Sequence, residues 1–221
     1  MLHALDIIGT FVFAVSGAFR AVKYELDLLG VLTLAVATGV GGGILRDLML
    51  GSVPPAAFRD EAYLLVCLAG GVVVFLSPRR IAKRWDWVLA ADAVGLSVFA
   101  AIGAAKAAAG GFGVIGIMMM AAVTACGGGV VRDMLVAEIP VVLKADFYAS
   151  AALIGGACLI AARHAGFNEN TQLLCGAVAA FVLRAVAMKY GLALPRVRRL
   201  PVSPSQLTHM RKNGGETGMR D

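Results

Sequence analysis

Charge is the scarcest commodity in this chain. Only 15% of its 221 residues are Asp, Glu, Lys or Arg, against about 25% in ordinary soluble domains. Histidine occurs three times, as His3, His164 and His209, always at an end or in a link. No nucleophile, base and acid stand together, so an enzyme is not expected. The four cysteines, Cys67, Cys126, Cys158 and Cys175, lie inside apolar runs at spacings that match no metal motif. They read as small packing residues, and no cofactor or metal is expected. The first residues, Met1 to Asp6, lack the basic stretch of a cleaved signal peptide, so the first apolar run is expected to be a retained helix. The formal charge of +6 comes without a basic stripe interleaved with aromatics, which argues against a nucleic-acid partner.

What remains is apolar: 59% hydrophobic residues, at a mean hydropathy of +0.81. The apolar runs are about 20 residues long, enough to cross a hydrocarbon core about 30 Å thick. They do not alternate at period two, as the strands of an outer-membrane barrel would. The sequence therefore predicts an all-α polytopic membrane protein with seven spans, at about 6–22, 28–48, 60–76, 87–105, 113–135, 146–162 and 172–190. From Pro195 onward it predicts a polar, basic, disordered tail (195–221) behind a single membrane domain, 1–194.

Two stretches stand out. Thr38-Gly39-Val40-Gly41-Gly42-Gly43-Ile44-Leu45-Arg46-Asp47 is answered by Thr124-Ala125-Cys126-Gly127-Gly128-Gly129-Val130-Val131-Arg132-Asp133, 86 residues later (124 − 38). The same offset aligns Asp6 with Asp92, Gly9 with Gly95, Phe13-Ala14 with Phe99-Ala100, Gly17-Ala18 with Gly103-Ala104, Arg20 with Lys106 and Pro54 with Pro140. Spans three and six carry Gly70-Gly71 and Gly155-Gly156, one residue out of register. Spans 1–3 (about 4–78) and 4–6 (about 87–163) are thus read as two copies of one unit, with span 7 (about 172–190) extra. Three is odd, so the second copy enters from the opposite side of the membrane. The repeats are expected to be inverted, with a substrate path at their interface.

Lysine and arginine in the links give the orientation. Arg20, Lys23, Arg79, Arg80, Lys83, Arg84, Lys144 and the basic tail fall on one side, against Arg59, Lys106 and Arg163 on the other. The C-terminus is expected in the cytoplasm and the N-terminus outside, with the basic face drawn to anionic lipid.

Three glycines in a row strip side chains from about 200° of a helix. That suits close helix packing. It equally suits a kink or local unwinding in spans two and five, with freed carbonyls facing a cavity. Ionisable residues in such spans point to function. Topology pairs Asp6 with Arg46 at an outer mouth and Asp92 with Arg132 at an inner one, with Asp47 and Asp133 alongside. An alternative is that the Arg-Asp pairs merely sit at the interface. Ser16, Thr38, Ser97 and Thr124 are the hydroxyls near the waist. They could replace part of an ion's water shell, or simply bond back to their own helices.

With these residues in view, the chain resembles the prokaryotic branch of the trimeric intracellular cation (TRIC) channels over about residues 4–190. The motif Gly-Gly-Gly-x-x-Arg-Asp in spans two and five carries the resemblance. It implies a homotrimer with a potassium-permeable pore in each protomer, built mainly from spans 1, 2, 4 and 5 and bordered by Gly41, Gly42, Gly43, Gly127, Gly128 and Gly129. It implies residence in a bacterial inner membrane, with potassium ions, lipids and further copies of the chain as partners. The phosphoinositide site of animal members finds no lysine cluster near Gly127 to Gly129 and is not carried over. A secondary transporter of a small solute, such as a small amino acid, is the competing expectation. A membrane scaffold is a weaker third, because charged mouths and glycine-broken helices would serve it nothing.

Overall fold

The computed structural model describes residues 1–76, 85–144 and 147–192, the side chains of 85–89 excepted. The expected tail, His209 and the basic residues at 79, 80, 83 and 84 lie outside the described residues. Every element described is a helix: α1 (Leu2–Lys23), α2 (Leu28–Met49), α3 (Ala56–Arg59), α4 (Ala62–Leu76), α5 (Trp85–Ala109), α6 (Val114–Leu135), α7 (Val141–Lys144), α8 (Ala149–His164) and α9 (Glu169–Tyr190). Five of them, α1, α2, α5, α6 and α9, are long and apolar enough to cross a membrane, while α4 and α8 are shorter apolar helices of 15 and 16 residues.

Local chemistry sets several ends. Asp27 caps α2 by accepting from the Gly30 N–H at 2.8 Å, and Asn168 caps α9 by accepting from Thr171 N–H at 2.9 Å. α9 stops at Gly191, whose φ of 59° is the left-handed geometry that glycine adopts at little cost.

Burial is inverted relative to a water-soluble protein. Leu29, Ile115, Leu76 and Leu174 are exposed, whereas Ala14, Ala35, Ala100, Ala121 and the charged Asp6, Arg46, Arg132 and Asp133 are buried. Large apolar side chains therefore face outward, where lipid accepts them. Small residues line the helix contacts, and the protein interior takes in the charges. This is the arrangement that a hydrocarbon solvent selects, since it rewards close backbone approach and punishes exposed charge.

The packing follows the repeat. α1, α2 and α4 form one group, and α5, α6 and α8 form another with the same internal contacts; α1 meets α5 and α2 meets α6 across the junction, and α9 lies on α5 and α8. The junction contacts are reciprocal. A Cβ on Gly9 would meet the Phe99 ring at 2.7 Å and one on Gly95 the Phe13 ring at 3.0 Å, and the two rings themselves meet at a 40° tilt with centroids 5.2 Å apart.

Candidate functional site

The middle glycines of the two triplets bring backbone against backbone. A Cβ on Gly42 would come 2.4 Å from the Thr124 carbonyl oxygen, and one on Gly128 would come 2.4 Å from the Thr38 carbonyl oxygen. Here α2 and α6 cross backbone on backbone. Both helices run unbroken through their triplets, so the expected local unwinding is not what the glycines do. They remove side chains so that two backbones can touch. The flanking glycines of the first triplet differ in kind: around Gly41 and Gly43 the nearest atoms to an added Cβ stand at 3.5 and 3.6 Å, an ordinary contact, whereas at Gly127 and Gly129 they stand at 3.0 and 3.1 Å.

The hydroxyls are mostly turned inward to their own helices. Thr38 Oγ1 donates to Leu34 O at 2.6 Å, Thr124 Oγ1 to Met120 O at 2.7 Å and Ser97 Oγ to Ala93 O at 2.6 Å. In each case the alternative of a hydroxyl bonded back one turn is the one observed. Gly17 and Gly103 pack against Thr38 and Thr124 in matching fashion. Ser16 differs, its Oγ accepting from Arg132.

On either side of the crossing lies a cluster of buried charge. In the first, Arg46 Nη2 lies 3.2 Å from Asp6 Oδ2 and its Nη1 donates to Asp6 Oδ1 at 3.4 Å, while its Nε donates to Asp47 Oδ1 at 2.8 Å. Tyr63 Oη donates to Asp6 Oδ2 at 3.1 Å, and Asp47 Oδ2 accepts from the Ala56 N–H at 2.9 Å, tying down the start of α3. In the second, Arg132 Nη1 donates to Asp92 Oδ1 at 2.9 Å and to Ser16 Oγ at 2.6 Å, and its Nε donates to Asp133 Oδ1 at 2.9 Å. Asp133 Oδ2 accepts from the Val141 N–H at 2.8 Å. Both arginines are buried inside the protein: Arg46 is 1% exposed and Arg132 2%. Buried guanidinium and carboxylate are tolerable only because each supplies the other's hydrogen bonds.

Each cluster is completed by the other repeat. Lys106 Nζ, from α5, stands 3.5 Å from both Asp6 Oδ2 and Asp47 Oδ1. Arg20 Nη2, from α1, stands 3.3 Å from Asp133 Oδ1. Sequence reading aligned Arg20 with Lys106 but used them only to orient the chain. Their matched sign at the repeat offset was the available signal. Tyr63 was missed because its counterpart, Tyr148, lies at an offset of 85 (148 − 63), the slipped register of Gly70 and Gly155.

The second cluster extends to the surface through Glu138, which accepts from Arg20 Nη1 at 3.0 Å and from the Tyr24 hydroxyl, with Lys23 Nζ at 3.8 Å. The Tyr24 hydrogen bond, then the positive Arg20, Lys23 and Lys144, hold the Glu138 carboxyl below the usual glutamate range. A depressed carboxyl stabilises the fold above its unfolded pKa, about 4.3, and that contribution fades as pH falls through the lower folded value. The wild type should therefore outlast Glu138→Gln in thermal unfolding at pH 7, with the gap closing below about pH 4. A gap that is constant with pH contradicts this linkage.

Near the first cluster a cavity of about 400 Å³ opens between Asp47, Ser52, Arg59, Lys106 and Phe112, and a pocket of about 10 Å³ lies behind Arg46 against Thr10, Gly39, Gly43 and Tyr63. The larger space could admit a hydrated ion or a small solute to the Lys106 ammonium. Among the described residues no group of metal-ligating side chains occurs.

A family model described as "Glycine transporter" matches residues 3–79 and 89–164. The inner membrane protein YadS of Escherichia coli (strain K12), classed as a UPF0126 protein, is 38% identical over 200 residues, covering 88% of this chain and 95% of its own. A chain solved in work on conductance through TRIC cation channels superimposes with a TM-score of 0.84 at 36% identity, over 90% of this chain and 98% of that one. The TRIC orthologue from Rhodobacter sphaeroides gives a TM-score of 0.82 at 39% identity, over 86% and 98%.

Proposed function

Since the chain belongs to the TRIC family, the one whose model carries the description glycine transporter, we propose that it conducts monovalent cations, potassium among them, by a path inside each protomer of a homotrimer. The path runs along the junction of two inverted repeats. The first charge cluster is its outer mouth and the second its inner mouth, with the N-terminus outside and the C-terminus in the cytoplasm of a bacterial inner membrane.

The observation that carries this reading is the stacking of the two clusters on either side of the Gly42–Gly128 crossing. An ion entering either end meets buried carboxylates whose charge is matched by a guanidinium. It then meets a waist made of backbone, where carbonyl oxygens of Thr38 and Thr124 lie at the contact. Carbonyl oxygens replace hydration water well for a weakly hydrated cation and poorly for an anion. With the backbones this close no ion passes between them, so in this reading the path is closed. Conduction requires α2 and α6 to bend or part at the triplets, and release of an arginine from its aspartate is the accompanying event.

A second reading has a specific observation behind it. The cavity beside Lys106 bears both signs of charge, Lys106 and Arg59 against Asp47, and would suit a zwitterion, in keeping with the description glycine transporter. Rate separates the two. Purified protein in a planar bilayer should give discrete unitary currents in potassium solutions, reversing near the potassium equilibrium potential. Saturable uptake of radiolabelled glycine into vesicles, with no unitary current, would overturn the channel reading in favour of the transporter.

A further inference from the structure

The repeats account for eight helices and leave α9 without a counterpart. α9 is apolar, yet it carries Arg184, which is 5% exposed and six residues short of the helix end at Tyr190. An arginine inside a membrane helix is costly unless something uses it. Its guanidinium lies over the face of the Tyr148 ring, 5.0 Å from the centroid, within the range of a cation–π contact.

Tyr148 is the slipped-register counterpart of Tyr63. The two differ in one respect. Tyr63 donates to Asp6 at 3.1 Å. The Tyr148 hydroxyl is buried within reach of Asp92 but makes no well-formed hydrogen bond. It stands over the third glycine of the second triplet, 3.1 Å from where a Cβ on Gly129 would be. Cys126, next to that triplet and 7% exposed, is within electrostatic range of both Asp92 and Arg184. One cluster thus joins the extra helix to the inner mouth: Arg184, Tyr148, Asp92, Arg132 and Cys126.

We propose that Arg184 is a positioning residue for the inner mouth: it holds the Tyr148 ring between α9 and Asp92, and so keeps Asp92 on Arg132. In repeat one the tyrosine is fixed by its own hydrogen bond to the aspartate. In repeat two that bond is not well formed, and α9 supplies the restraint through the face of the ring. Loss of the guanidinium frees the ring, loosens the Asp92–Arg132 pair and admits water along α6 beside Gly127 to Gly129. The assignment of an inner mouth rests on the channel reading above; the restraint itself does not.

Cys126 reports on it. In full-length protein retaining Cys126 alone, with the other three cysteines changed to alanine, Arg184→Gln should raise the rate of modification by a small water-soluble thiosulfonate at least fivefold. Arg184→Lys, which keeps the charge but loses the flat guanidinium stack, should give a smaller rise. Removing a nearby cation by itself disfavours the thiolate and slows its reaction, so a faster rate reports access. Cys67, fully buried against Gly39 in repeat one, is the control: in protein retaining Cys67 alone the same substitutions should leave the rate unchanged. A parallel rise at both cysteines means general loosening and overturns the proposal, as does no rise at Cys126. If Arg184→Gln gives no monodisperse protein, Arg184→Lys decides by the same criteria. The labelling needs no current, so protein that shows this pattern but no unitary conductance refutes the channel and leaves the positioning role intact.

Discussion

Arg132→Ala is expected to abolish recovery of folded protein, or to leave a remnant destabilised by about 3–5 kcal/mol, the usual cost of stripping one partner from a buried ion pair. Arg132 holds Asp92, Asp133 and Ser16 at once. Without it Asp92, at 5% exposure, loses the cation it is paired with, while Asp133 keeps Arg20. The loss is a large part of a total stability of about 5–15 kcal/mol. The measure is the monodisperse fraction and unfolding temperature in detergent. The double variant Asp92→Asn with Arg132→Gln should be less damaged than the sum of its single changes, with a coupling of about 0.5–3 kcal/mol. Strict additivity would show that the pair is decorative. Arg46→Ala should be milder, because its contacts to Asp6 are 3.2 and 3.4 Å and Lys106 remains beside both aspartates.

The second large effect lies at the crossing. Leucine at Gly42 or at Gly128 should eliminate transport, whatever the solute, because its Cβ alone would lie 2.4 Å from a carbonyl oxygen of the facing helix. Alanine discriminates within the triplet. At Gly42 or Gly128 it should cost about 1–3 kcal/mol as overpacking, a drop of several degrees in unfolding temperature. At Gly41 the atoms nearest the added methyl, on Val131 and Gly128, stand at ordinary distance, and alanine's better helix propensity, about 0.8–1 kcal/mol, should leave the protein as stable or more so. Equal damage at Gly41 and Gly42 would mean that the triplet acts through backbone flexibility and not through contact.

That contrast also marks how far the residues could be read unaided. The helices, the duplicated unit and the Asp6–Arg46 and Asp92–Arg132 pairs follow from hydropathy and from one offset of 86, because carboxylate and guanidinium in apolar helices have few places to go but each other. The use of the glycines does not follow. Packing and unwinding both call for a missing Cβ, and only the facing carbonyls of Thr38 and Thr124 decide between them. Lys106 and Arg20 were counted as loop charges, since a side chain that reaches across to another repeat looks, along the chain, like one that reaches into solvent. Tyr63 and Tyr148 were hidden by a single-residue slip. Arg184 had no counterpart in the repeat to draw attention to it.

The exchange of Lys106 and Arg20 between the two halves has a consequence for how such a chain could arise. A contact in which residue i of one copy meets j of the other, and j meets i, is the signature of a twofold homodimer. Gly9 with Phe99 and Gly95 with Phe13, or Asp47 with Lys106 and Asp133 with Arg20, are contacts of that form held within a single polypeptide. In a dimer of identical subunits any substitution would strike both ends of such a contact together. In one polypeptide the ends can differ: lysine at one and arginine at the other, a hydrogen-bonded tyrosine at one and a stacked tyrosine at the other. Fusion thereby turns a symmetric object into a directional one, which is what a protein needs if it is to respond differently to its two sides.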